Sequence, residues 1–146
     1  MSRAAQRRPA VVIVDDESIV CESLRIQLES AGFRATAVND PSRALATIQA
    51  EKPDLVVLDL YMPGVDGREI ARALRADPAT STVRILLLTG SNEAVDVVTG
   101  LDAGASDYMT KPVDGETIAA KIRSMLNMGA APRAKAGSKR GARRAR

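Results

Sequence analysis

The chain has 146 residues, a single cysteine and no histidine, so an intramolecular disulfide is excluded and a histidine-built metal site with it. That length suits one domain with a core of Val, Leu, Ile, Ala and Met, since Phe33, Tyr61 and Tyr108 are the only aromatics. The net charge of +3 divides into +7 for residues 129–146, which hold no acid, and −4 for the rest, so the basic character belongs to the tail.

Residues 1–9 are short, basic and without periodicity, and read as a flexible segment. Ala10 to Val14 is an apolar run ending at Asp15-Asp16, a first strand. Val20, Leu24, Leu28 and Ala31 then follow at helical spacing, with Gly32 as the stop. Phe33 to Val38 alternates as a half-buried edge strand would. Asp40-Pro41 predicts a capped helix start, with Leu45 and Ile48 on the inner face. Leu55 to Leu58 runs straight into Asp59 as a strand buried on both faces, which Pro63 and Gly64 prevent from continuing.

Asp66 and Glu69 have capping-box spacing ahead of a stripe of Ile70, Ala73 and Leu74. Val83 to Leu88 is the next buried strand, ending at Thr89-Gly90. Residues 92–101 predict a weaker helix with Val95 and Val98 inward. Ala105 to Thr110 is a short last strand ending at Lys111-Pro112. Asp114 caps a final helix bearing Ile118, Ile122, Met125 and Leu126 on one face, stopped by Gly129. This is a five-fold βα alternation. It predicts one α/β domain over residues 10–128, a doubly wound parallel sheet of five strands with right-handed crossovers.

Polar residues stand at the carboxyl ends of four of the strands: Asp15 and Asp16, Asp59, Thr89, and Lys111. In a doubly wound sheet these ends share one rim, where ligands bind. Each alone could be a helix cap, a turn residue or a surface lysine; together they form a constellation. Three neighbouring carboxylates repel unless a cation sits among them, and oxygen-only ligands with room for water suit Mg²⁺. Lys111 adds a point charge and Thr89 a hydroxyl. An anionic nucleophile, a hard divalent ion and two donors are what phosphoryl transfer to a carboxylate needs.

On Asp15-Asp16, Asp59 with Met62-Pro63-Gly64, Thr89-Gly90, residues 104–108 and Lys111-Pro112, the chain resembles a response-regulator receiver domain of bacterial two-component signalling over about residues 10–128. The resemblance implies a CheY-like, flavodoxin-type strand order 2-1-3-4-5. It implies that Asp59 accepts a phosphoryl group from a histidine kinase or phosphotransfer protein. Asp16 and Asp59 would hold Mg²⁺ directly, Asp15 largely through water, and the Tyr61 backbone carbonyl would be a further ligand. Thr89 and Lys111 would bind phosphoryl oxygens, Thr89 and Tyr108 would form the switch, and the Lys111-Pro112 bond would be cis. The surface of residues 92–127 would change for a downstream partner. Val113 departs from a position that is often aromatic in the family, and Tyr61, two places after Asp59, could overhang the site.

Two other functions compete. A Mg²⁺-dependent phosphohydrolase with an aspartate nucleophile often carries a second aspartate two residues on, where this chain has Tyr61. Flavin binding on the same fold wants a phosphate-cradling loop after the first strand, where Asp15-Asp16-Glu17 would repel phosphate. Residues 129–146 have nothing larger than alanine to bury apart from Pro, Lys and Arg, so disorder is expected, with an acidic partner or weakly held nucleic acid as its ligand. With no apolar run near the roughly 18 residues of a membrane span and no signal-peptide stretch, a soluble cytoplasmic protein is expected. With no output domain recognised after residue 128, a single-domain regulator is expected too.

Overall fold

The computed structural model describes residues 7–90 and 93–128. The segment 1–6, Ser91, Asn92 and the basic tail 129–146 lie outside the described residues, so the expectations placed on them are not addressed by it. Five strands, β1 (Ala10–Val14), β2 (Arg34–Val38), β3 (Leu55–Asp59), β4 (Arg84–Thr89) and β5 (Asp107–Thr110), form one sheet. Every neighbouring pair is parallel, in the order β2-β1-β3-β4-β5, which is the predicted order. Between them run α1 (Ser18–Ser30), α2 (Ala44–Glu51), α3 (Gly67–Ala76) and α4 (Ala94–Ala103), and α5 (Gly115–Met125) follows β5. A two-residue antiparallel ribbon, Tyr61–Met62 with Val65–Asp66, bridges β3 and α3.

Side-chain alternation along the strands creates two separate cores. Val12, Val14, Val56 and Leu58 face Ile48, Ile70 and Leu74 on one side of the sheet. Val11, Ile13, Val57 and Leu86 face Leu24, Leu28, Ile118 and Ile122 on the other. β1 and β3 are buried along their whole length, as central strands under helices on both faces must be.

Several local expectations change. Asp40 does cap, accepting from the Ser42 N–H, but the turn it starts is a 3₁₀ turn over Pro41–Arg43 before α2 begins. That offset turns Ala44 and Ile48 inward and leaves Leu45 exposed, not inward as predicted. β2 is less one-sided than expected, because Ala35 and Val38 are buried in opposite cores. The Asp66 carboxylate caps α3 through the Arg68 N–H rather than the Glu69 N–H that a capping box uses. α5 ends at Met125, with Asn127 taking the left-handed conformation (φ 60°), before Gly129 is reached. β5 begins at Asp107, because the Ser106 N–H and hydroxyl bond the β4 residue Ile85 outside the ladder.

The largest correction is α4. Val95 and Val98 are 61% and 54% exposed, while Asp96, Gly100 and Ala103 are buried. Gly100 makes this possible, since a Cβ there would collide with the Leu87 side chain.

Candidate functional site

Continuation of the ladder beyond the strands assembles the rim. The Asp15 N–H bonds the Val38 carbonyl, the Leu60 N–H bonds the Leu88 carbonyl, and the Lys111 N–H bonds the Thr89 carbonyl. The ends of all five strands are thus fixed by backbone bonds, and the predicted polar residues arrive together. Asp15 (1% exposed), Asp59 (5%) and Thr89 (1%) are buried, and Asp16 is half-buried. Asp15, Asp16 and Asp59 each offer a carboxylate oxygen, all within 4.8 Å of one another.

Lys111 points into this group. Its Nζ lies 3.3 Å from Asp59 Oδ1, 3.2 Å from Asp15 Oδ2 and 4.0 Å from Glu17 Oε1. Burial opposes the charge on Lys111, but Asp59 and Asp15 outweigh it and hold the ammonium above its ordinary pKa. Burial, and then the charge of Asp15, push Asp59 up to about 6, with Lys111 pulling the other way. One cation does not neutralise three carboxylates. Asp15 Oδ1 accepts from the Glu17 N–H at 3.0 Å. Asp15 Oδ2, although close to Lys111, is a buried oxygen without an aligned hydrogen bond. A hard divalent cation with oxygen ligands and retained waters fits such a donor set.

Gly67 underlies the site in a way the sequence reading missed. Its N–H donates to the Leu60 carbonyl at 2.7 Å, and a Cβ there would collide with the backbone carbonyl oxygen of Asp59. Glycine is a poor helix former, so its place in the first turn of α3 was the available signal. The Lys111-Pro112 bond is cis, as the resemblance implied. Tyr108 is half-buried on β5, beside Leu87 in register and against the core that contains Ala103. The Tyr61 hydroxyl reaches sideways to Asp96 on α4 at 2.6 Å, a contact that sequence spacing could not reveal.

An acidic trio with two members buried and one inward lysine, at the carboxyl edge of a sheet of order 2-1-3-4-5, has clear counterparts. The model of the response regulator receiver domain matches residues 11–123. The chain belongs to that family. This receiver is 40% identical over 116 residues to the transcriptional regulatory protein CseB of Streptomyces coelicolor, covering 80% of this chain and 48% of the relative. It is 41% identical over 119 residues to the DNA-binding response regulator MtrA of Mycolicibacterium smegmatis, covering 82% and 51%. The receiver therefore spans about half the length of the curated relatives it matches. Among solved structures it is similar to a CheY-like receiver domain protein of Methanospirillum hungatei JF-1 (TM-score 0.76, 26% identity, 83% of this chain and 95% of that one). The chemotaxis protein CheY4 of Vibrio cholerae is another neighbour (TM-score 0.77, 26% identity, 81% and 98%). The receiver is thus a part of two-component phosphorelay signalling, and among the described residues no helix is long and apolar enough to cross a membrane.

Proposed function

We propose that the receiver is a phosphorylation-dependent switch whose acceptor is Asp59, supplied by a histidine kinase or a phosphotransfer protein. The observation that carries this reading is the inward Lys111 ammonium, 3.3 Å from Asp59 Oδ1 and 3.2 Å from Asp15 Oδ2. An Asp59 oxygen attacks phosphorus in line, an O–P bond forms, and the N–P bond to the donor imidazole breaks with the imidazole as leaving group. The Lys111 ammonium moves its contact from the carboxylates to a phosphoryl oxygen, and the Thr89 hydroxyl donates to another. Asp15, Asp16, Asp59 and the Tyr61 carbonyl are the ligands we assign to Mg²⁺. The ion, when bound, neutralises charge on the carboxylates and on the phosphoryl oxygens. Nothing is turned over beyond the protein's own acyl phosphate, so the reading is a switch and not an enzyme acting on small esters.

Thr89 and Tyr108 are the switch pair in this reading. The output surface is α4, β5 and α5, and the outward Val95, Val98 and Leu101 on α4 support it, as apolar side chains left for a partner. The receiver unit runs over residues 10–128 and acts in the cytoplasm, while the basic residues 129–146 engage an acidic partner or, weakly, nucleic acid. Whether the whole protein regulates transcription, as the names of its relatives describe for them, belongs to the same proposal.

Incubation of the full chain with acetyl phosphate and Mg²⁺ should add one phosphoryl mass. Asp59→Asn and chelation should each abolish it, and removal of residues 130–146 should leave it intact. Modification that survives Asp59→Asn would refute the assignment.

A further inference from the structure

One cluster of polar side chains, with Arg68 and Asp96 mostly buried and Tyr61 54% exposed, takes no part in the phosphoryl-transfer chemistry. Its hub is Arg68, in the first turn of α3, with a side chain 15% exposed. The guanidinium pairs with Asp66 at 2.8 Å and donates to the Thr99 hydroxyl at 2.6 Å. It also lies over the Tyr61 ring, 5.4 Å from the centroid, and 3.8 Å from Asp96 Oδ1. Asp96 accepts the Tyr61 hydroxyl at 2.6 Å, and the Thr99 hydroxyl in turn donates to the Val95 carbonyl. The contacts therefore close a ring across the ribbon, α3 and α4. A buried guanidinium and carboxylate are costly unless each is paired, and here each holds the other in place.

The ring joins two segments that leave the acceptor site. Tyr61 is two residues beyond Asp59, and Asp96 is in the first turn of the helix that follows Thr89. α4 needs such a tie more than its neighbours do. Val95 and Val98 face water, Val97 is half-buried, and the fully buried residues are Asp96, Gly100 and Ala103, which offer little apolar area.

We infer that Tyr61, Arg68 and Asp96 are positioning residues that latch the first turn of α4 to the segment after Asp59 in the unphosphorylated protein. The inference rests on the reading of Asp59 as acceptor. A phosphoryl group on Asp59 displaces the chain on both sides of the Tyr61–Asp96 bond, and that bond tolerates little movement at either end. Latch and phosphoryl group then favour different positions of α4, and by linkage removing one shifts the population toward the other.

Amide exchange over residues 94–103 of the full chain tests this in wild type, Tyr61→Phe, Asp96→Ala and the double variant. Tyr61→Phe removes one oxygen and keeps the ring over Arg68, so it should leave the fold intact. In the unphosphorylated protein Tyr61→Phe should raise α4 exchange about tenfold, as loss of a hydrogen bond to a charged group implies, and Asp96→Ala, which also loses the Arg68 ion pair, at least as much. The double variant should add nothing beyond Asp96→Ala alone, because Asp96→Ala already breaks the Tyr61–Asp96 bond along with the Arg68 ion pair. After phosphorylation, wild type and variants should exchange alike. The latch is overturned if Tyr61→Phe exchanges as wild type does, if the two single effects multiply, or if the difference persists unchanged after phosphorylation. Intact mass after acetyl phosphate treatment is read on the same samples. A wild type that gains no phosphoryl mass refutes the acceptor instead, and the unphosphorylated exchange data still decide whether the latch exists.

Discussion

Replacing Asp59 by asparagine should stabilise the metal-free receiver. The carboxylate is 5% exposed and stands beside Asp15 and Asp16 with Lys111 as the nearest cation. Folding raises its pKa from 3.8 to about 6, chiefly through burial and then through Asp15. The folded state therefore holds the proton more tightly than the unfolded chain, and stability falls as pH rises from about 4 to about 6. Above that range the ionised carboxylate costs the fold about 3 kcal/mol, from 1.36 kcal/mol per pH unit. Asparagine removes that cost and gives up the Lys111 ion pair, whose favourable part is already contained in the net shift. A gain of about 1–3 kcal/mol is expected, or roughly 3–15 °C in Tm for a domain of this size. Thermal unfolding in a chelating buffer at pH 7.5 measures it. The same comparison at pH 4 should show almost no gap, since the wild-type carboxylate is then largely protonated. Mg²⁺ should raise the Tm of wild type more than that of the variant. An unchanged or lower Tm for Asp59→Asn at pH 7.5 without metal would mean that the carboxylates are not crowded.

Gly67→Ala should destabilise the receiver by about 1–3 kcal/mol and slow phosphoryl uptake, because its new methyl meets the Asp59 carbonyl; a neutral variant in urea unfolding would remove Gly67 from the site. Ile48→Ala should cost about 2–5 kcal/mol and Val98→Ala less than about 0.5, and equal losses would reverse the assigned orientation of α4. Cys21 is buried, and burial first and the charge of Asp15 second raise its thiol to about 11. Thiol reagents at pH 8 should therefore label it only on unfolding, and rapid labelling of native protein would contradict its packing.

The rim was legible in the sequence because each strand ends on a break. Apolar runs stop at Asp15, Asp59 and Thr89 and the short last strand stops at Lys111, and the parallel topology then brings those ends together whatever the loops do. α4 was not legible, since Val95, Val98 and Leu101 form as good a stripe as Asp96, Gly100 and Ala103. Close approach to Leu87, a tertiary fact, selects the smaller side chains for the buried face. Leu45 was misplaced for a local reason, because the 3₁₀ turn after Asp40 shifts the helical phase. The Tyr61–Asp96 bond spans 35 residues and carries no periodicity at all.

The far end of α4 is held by different contacts from its first turn. Arg75, a partly buried cation, donates to the carbonyls of Gly104, Ser81 and Val83, and Gly104 (φ 124°) is the residue on which α4 ends. That end is fastened to the floor of the sheet by a residue distant from the phosphoryl chemistry. On the latch reading the helix acts as a lever about this end. Ten residues span about 15 Å, so a swing of roughly 20° about Gly104 carries the first turn about 5 Å while the last turn barely moves. Paired spin labels reporting from Val95 and from Asp102 to a common point on α5 should show the asymmetry. Equal displacement at both positions would describe a sliding helix, and Arg75 would then be no fulcrum.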